Sequence, residues 1–134
     1  MFYRFETEVP LRWVDVDSAG VVNNAVFLSL VEQGRYAYFE HLGLLTDHRV
    51  PFVVAEATIK FLKPVRFGMA TRVAARVARV GDRSCQMDYE IRVADDVLAR
   101  ITAALVFVDA DLRATTVPAG FRAVIEQFEE LAGG

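Results

Sequence analysis

The stretch from Trp13 to Gly43, WVDVDSAGVVNNAVFLSLVEQGRYAYFEHLG, limits what this chain can become more than any other. Two aspartates and a glycine-containing turn lead into paired asparagines, and a long amphipathic segment follows them. Turning about 100° per residue from Phe27 puts Phe27, Leu30, Val31, Gly34, Ala37, Tyr38, His41 and Leu42 on one side. Ser29, Glu32, Gln33, Tyr36 and Glu40 fall on the other. Asn23 or Asn24 is a good N-cap, and Gly43 is a good stop after Leu42. A helix from about Asn24 to Leu42 is roughly 28 Å long at 1.5 Å per residue. Gly34 sits near the middle of its apolar side, where it costs helix propensity relative to alanine. That cost makes sense where another backbone must come very close, as when a sheet curls around the helix. Such a sheet needs strands of about nine residues or more.

The rest of the chain supplies them. From Tyr3 to Trp13 the odd positions are mostly apolar and the even ones mostly polar, so the segment reads as a half-buried strand. Pro10 cannot donate to a ladder and assigns it to a sheet edge. Val50–Phe61 is β-branched and strand-like, with Glu56, Thr58 and Lys60 on one face and Ala57, Ile59 and Phe61 on the other. Lys63-Pro64 ends it, and Val65–Met69 with Gly68 is a turn. Ala70–Val80 is a third strand, followed by a tight turn at Gly81-Asp82-Arg83. Ser84–Ala94 alternates, with Cys85, Met87, Tyr89, Ile91 and Val93 inward and Ser84, Gln86, Asp88, Glu90 and Arg92 outward. After Asp95-Asp96, Val97–Val108 is apolar on both faces in its second half, the mark of a central strand. Pro118 suits the first turn of a short terminal helix. The order β-α-β-β-β-β-α, without repeats or linkers, predicts one α+β domain over residues 1–134, a curved antiparallel sheet around one long helix.

Composition removes several classes of function. Fifteen basic against eighteen acidic residues leave a net charge of −3, which gives no electrostatic case for nucleic-acid binding. The N-terminal MFYRFETEVPLRW has no unbroken apolar run, so no signal peptide or membrane span is expected there. Cys85 is the only cysteine, which excludes an internal disulfide and a cysteine-rich metal site. Together these point to a cytoplasmic protein with no metal and no membrane partner. No P-loop-type glycine loop is present.

Asp15-Val16-Asp17-Ser18-Ala19-Gly20, then Val22-Asn23-Asn24 opening a helix that ends Leu42-Gly43, resembles the hotdog-fold thioesterases, in particular the 4-hydroxybenzoyl-CoA thioesterase-like acyl-CoA thioesterases. Lys63-Pro64 with Gly68 between two strands, and Leu105–Asp109 ending the last strand, add to the likeness, which spans nearly the whole chain. The resemblance implies a homodimer with joined sheets, commonly paired further into a tetramer, and an acyl-CoA substrate entering at the subunit interface. It requires no cofactor, CoA being part of the substrate. By position it implies Asp17 as the catalytic carboxylate and the backbone N–H of Asn24 as the donor that polarises the thioester carbonyl. Many relatives carry histidine where this chain has Val21. The likeness also implies CoA nucleotide contacts near the turn before the fourth strand, at Arg83 and Ser84. Lys60, Lys63 and Arg66 are a second group of cations for the CoA phosphates.

The physics of a helix start fits that chemistry. Its first N–H groups lack intrahelical partners and the helix dipole adds positive potential, so a thioester carbonyl aimed there meets fixed donors. Asp17, seven residues before Asn24, can return to the same helix end and serve as nucleophile or as general base. An aspartate in such a turn can equally cap its own loop. Asp15 reads as a turn residue supporting that loop, and the Asn24 side chain as a cap or a substrate-positioning amide. Glu32 reads as solvated, His41 as a satisfied core histidine, His48 as a loop residue and Cys85 as core. Two other functions share the pattern: an acyl-carrier-protein thioesterase, and a non-catalytic acyl-CoA-binding protein.

Overall fold

The computed structural model describes residues 2–131. Its elements are β1 (Phe5–Glu8), α1 (Val26–His41), β2 (Phe52–Phe61), β3 (Arg72–Val80), β4 (Ser84–Val93), β5 (Asp96–Phe107) and α2 (Ala119–Glu129), with a 3-10 turn at Trp13–Asp15. The five strands form one antiparallel sheet in the order β1-β3-β4-β5-β2. The β3–β4 and β4–β5 hairpins follow the chain, and β2 pairs back onto β5 from Phe52↔Phe107 to Phe61↔Ala99. The α+β expectation and the element order hold.

One face of the sheet carries the core. Met87, Tyr89 and Ile91 of β4 and Ile101, Ala103, Leu105 and Phe107 of β5 are buried with Phe27, Leu30, Val31, Tyr38 and Phe39 of α1. The helix packs chiefly against β3 and β1. Gly34 is the reason it can: a Cβ there would lie 2.9 Å from the Cβ of Val73 and closer still to its Cγ1. The glycine in the apolar stripe is therefore a point of close helix–sheet approach, as the sequence suggests. The apolar arc is wider than the periodicity implies, because Arg35 and Phe39 are buried as well. At the far end of α1, Phe39 packs on Phe52 and Phe121, and Tyr38 donates to Glu129 Oε2 at 2.6 Å. This ties α2 to the helix.

Two readings need correction. The first strand does not run to Trp13: it ends at Glu8, its ladder with β3 stopping at Glu8↔Arg72. Pro10 has no N–H to extend the ladder, and Trp13 is 74% exposed. His41 is not a core histidine. Its ring leans on Phe5 and Phe128, but the residue is exposed. Asp88 and Glu90 face outward as expected, and they are buried on that face of the sheet. Arg76, Thr102 and Gln86 donate to Asp88, and Arg92 and Arg100 donate to Glu90. Arginine stems cover the two carboxylates while their guanidinium groups satisfy them.

Substituting Gly34→Ala is expected to destabilise the protein by about 1–3 kcal/mol, the usual cost of an overpacked contact. Adding Val73→Ala in the same chain should recover part of the loss. Urea unfolding of the single and double variants measures both, and an undiminished Gly34→Ala protein would contradict the close approach.

Candidate active site

Hydrogen bonds shape the connection from β1 to α1, and Val9 and Val22 anchor it in the core. Asp15 is 3% exposed and accepts from the Arg12 N–H at 2.8 Å and from Arg12 Nη2 at 2.9 Å. Those bonds hold its carboxyl below the ordinary carboxylate range. Its carbonyl accepts the N–H of Asn23 at 3.0 Å, which brings the helix start back over the turn. Asp17 closes the next turn. Its N–H donates to the Val21 carbonyl at 2.9 Å, and its Oδ1 accepts from Ala19 N at 2.9 Å and Val21 N at 3.2 Å. Gly20, at φ +77°, makes the turn possible. The hairpin is stitched to the segment after β2, with Val22 N donating to the Val65 carbonyl at 2.7 Å and Phe67 N to the Gly20 carbonyl at 3.0 Å.

The helix start follows from these ties. Asn23 Oδ1 accepts the N–H of Ala25 at 3.0 Å, and the Asn23 carbonyl accepts Val26 N at 2.9 Å. Neither asparagine is the N-cap of α1, which is Ala25 and has no side-chain cap bond; the Asn23 side chain closes the turn before it, and the Asn24 side chain bonds to none of the described residues. The backbone N–H of Asn24 is also without a partner among them. Asn24 lines a cleft of about 260 Å³ with Val21, Val22, Phe27, Phe61, Leu62, Lys63, Pro64 and Val65. This is a mostly apolar slot at the positive end of a helix, beside an amide donor with no partner among the described residues.

Asp17 is exposed on the hairpin beside this cleft rather than in its wall, joined to the lining residue Val21 by the two hydrogen bonds above. Its Oδ2 is bonded to none of the described residues. Lys63 lines the cleft and pairs with Asp96 at 3.3 Å. Arg66 stands behind it, bridged to Val21 through the backbone. Lys60 lies on the exposed β2 opposite Arg100. Arg83 and Ser84 are at the other end of the sheet. The cleft is level with Phe61↔Ala99 and Ser84 with Val106, which is roughly 23 Å along β5 at 3.3 Å per residue. One chain thus gathers Asn24, Lys63, Arg66 and the Asp17 turn, and leaves Arg83 and Ser84 apart.

Sequence reasoning missed Arg35, which is buried between helix and sheet with its Nε donating to the Tyr89 hydroxyl at 2.8 Å. On the helical wheel it stands roughly 80° from Phe27, at the border of the apolar arc. A cation there is the one signal that could have marked it. Burial pushes the Tyr89 hydroxyl up to about 12, with Arg35 opposing. Burial likewise raises the Cys85 thiol to about 12, so it is no nucleophile. Among the described residues, no group of three or more His, Cys, Asp and Glu side chains could hold a metal ion. None of their helices is long and apolar enough to cross a membrane.

Residues 11–125 match the thioesterase-like superfamily, and the chain belongs to that family. Its class is that of the thioester hydrolases. A thioesterase from Thermus thermophilus, solved with coenzyme A and Zn, superposes with a TM-score of 0.87 at 29% identity, covering 97% of this chain and 98% of that one. A chloroplastic acyl-acyl carrier protein thioesterase of Arabidopsis thaliana is 27% identical over 129 residues, 92% of this chain and 68% of its own. A 1,4-dihydroxy-2-naphthoyl-CoA hydrolase of Nostoc punctiforme is 29% identical over 111 residues, 77% of this chain and 73% of its own.

The Arg12–Asp15 pair carries a pH signature. The Asp15 carboxyl is held below its unfolded value of about 3.9, so the pair stabilises the fold above that pH and the contribution is lost as pH falls through the lower folded value. An Asp15→Asn chain should be less stable than wild type at pH 7, and the gap should shrink below about pH 4. Thermal unfolding of both proteins across pH 2–7 checks this. A constant gap would remove the ion pair from the account.

Proposed function

We propose that this chain hydrolyses acyl-CoA thioesters, with Asp17 as nucleophile or general base and the Asn24 N–H polarising the carbonyl. The observation that carries the reading is the unpaired amide of Asn24 in the wall of the cleft at the start of α1. A thioester carbonyl pointed at it is polarised by a donor that is already in place. In the nucleophilic route an Asp17 carboxylate oxygen attacks the carbonyl carbon, the C–S bond breaks, CoA leaves as thiolate, and water hydrolyses the mixed anhydride. In the general-base route Asp17 takes a proton from water, the hydroxide attacks, and the same C–S bond breaks. Oδ1 is committed to the turn, so Oδ2 is the oxygen available to either route.

A second copy of the chain belongs to the reading. β2 is an unpaired sheet edge, and Val53, Val54, Phe61, Leu62 and Leu28 stand exposed along or beside it. An edge and an apolar band of this kind are what a twofold partner covers. An antiparallel copy across β2 carries its own Arg83 end toward this chain's cleft. Arg83 and Ser84 would then serve CoA from the partner, while Lys60, Lys63 and Arg66 serve it from the same chain. The runner-up substrate is an acyl-carrier-protein thioester. Exposed Trp13, Val14 and Phe67 lie beside Arg12 and Arg66, a surface suited to an acidic partner. Relative turnover of acyl-CoA and acyl-carrier protein decides between them.

Asp17→Asn keeps the Oδ1 acceptor and removes the charge, so the hairpin stays folded. Its kcat is expected to fall roughly 10²–10⁴-fold, the range of a lost acid–base or nucleophilic group. Thiol release from short, medium, long and aromatic acyl-CoAs, run on wild type and variant together, measures it, and unchanged turnover rules Asp17 out. Arg83→Ala should raise KM for acyl-CoA more than for a pantetheine-only thioester. Equal effects on both would remove Arg83 from the nucleotide site.

A further inference from the structure

A buried guanidinium is expected to be paired, because desolvating it alone is costly. Arg35 is 7% exposed, yet it forms no ion pair with any described carboxylate. Its Nε donates to Tyr89 and its guanidinium stacks 5.5 Å from the Tyr89 ring centre. Its two terminal nitrogens donate to no described residue and keep some solvent access. That access comes from a groove of about 360 Å³ between α1 and the start of β2, lined by Arg35, Tyr36, Phe52, Val53, Val54 and Glu32 among others. Apart from Glu32, which is exposed, these neighbours give the groove apolar walls around a two-pronged donor.

The groove and the cleft at Asn24 are both bounded by α1 and by β2, the groove at the Phe52 end of the strand and the cleft at its Phe61 end. The two are eleven residues apart, roughly 16 Å along the helix axis. Helical side chains lean back toward the N-terminus, so the guanidinium is nearer the cleft than its Cα. An extended chain gains about 3.5 Å per three bonds, so ten carbons and a terminal oxygen cover about 12 Å of the interval and the reach of the Arg35 side chain covers the rest.

We propose that this groove receives the far end of the acyl group and that Arg35 donates to an oxygen acceptor carried there, a hydroxyl or a carboxylate. The proposal rests on the thioesterase reading and names its substrate class: medium-length acyl thioesters oxygenated away from the thioester. Glu32 at the mouth can accept from a hydroxyl and repels a second carboxylate, so the hydroxyl is the better fit of the two.

The test compares decanoyl-CoA, 10-hydroxydecanoyl-CoA and 9-carboxynonanoyl-CoA on wild type, Arg35→Met and Arg35→Lys. Binding of the matching non-hydrolysable thioethers is measured alongside. Wild type is expected to favour an oxygenated chain about tenfold in kcat/KM, through KM, the worth of one hydrogen bond to a charged donor. In Arg35→Met the ratio should fall to about one. Arg35→Lys, which keeps the charge but not the fork, should fall between them and serves if the methionine variant does not fold. Equal treatment of all three chains by wild type overturns the proposal, as does a preference that survives in Arg35→Met. Loss of a dimer in the Arg35 variants with substrate preference intact would assign the arginine to a second copy instead, and also overturns it. Thioethers bound with the oxygen preference but no thioester cleaved would leave the groove assignment standing and sink the hydrolase reading. Cleavage without preference would do the reverse.

Discussion

The close approach of α1 to β3 at Gly34 and Val73 leaves no room for a methyl group between helix and sheet. With that contact made, Phe27, Leu30, Val31 and Tyr38 reach the inner face of the sheet and are buried there. The position of the helix N-terminus follows, because a rigid helix seated at its middle has little freedom at its ends. The hairpin of residues 15–23 then has one task, which is to bring the chain onto that end. It does so with backbone hydrogen bonds, two aspartates and the buried Val22.

The two aspartates divide the work by environment. Asp15 is buried, saturated by Arg12 and held ionised, which suits a structural anchor. Asp17 is exposed and uses one oxygen for the turn, leaving the other free. A residue can thus fold the loop and still offer a carboxylate oxygen. The turn reading and the catalytic reading of Asp17 are therefore compatible. The same economy holds at the asparagines: the Asn23 side chain closes the turn before the helix, and among the described residues Asn24 has no partner for its amide or its side chain.

Much of this was legible in the sequence because it follows from local rules. The helical stripe, the glycine within it, the alternation of Ser84–Val93 and the hairpin turns all depend on neighbours in the chain. What depends on distant partners was not legible. The first strand stops at Glu8 because its ladder with β3 ends there, a fact no periodicity contains. Asp88 and Glu90 alternate outward as expected but are covered by Arg76 and Arg100 of the neighbouring strands and by Arg92 of β4 itself. His41 lies on the apolar stripe and leans on Phe5 and Phe128, yet it stays exposed. Arg83 and Lys63 look alike as surface cations, and only the strand register shows that they stand at opposite ends of the sheet.

The central claim is that the amide at residue 24 polarises the substrate carbonyl before any bond breaks. The most direct measurement is the infrared carbonyl stretch of a ¹³C-labelled acyl-CoA thioester bound to the Asp17→Asn protein. The account predicts a band at lower wavenumber than for the same thioester in water, together with a narrowed width from a single fixed donor geometry. A bound thioester whose carbonyl band matches the free molecule would contradict it.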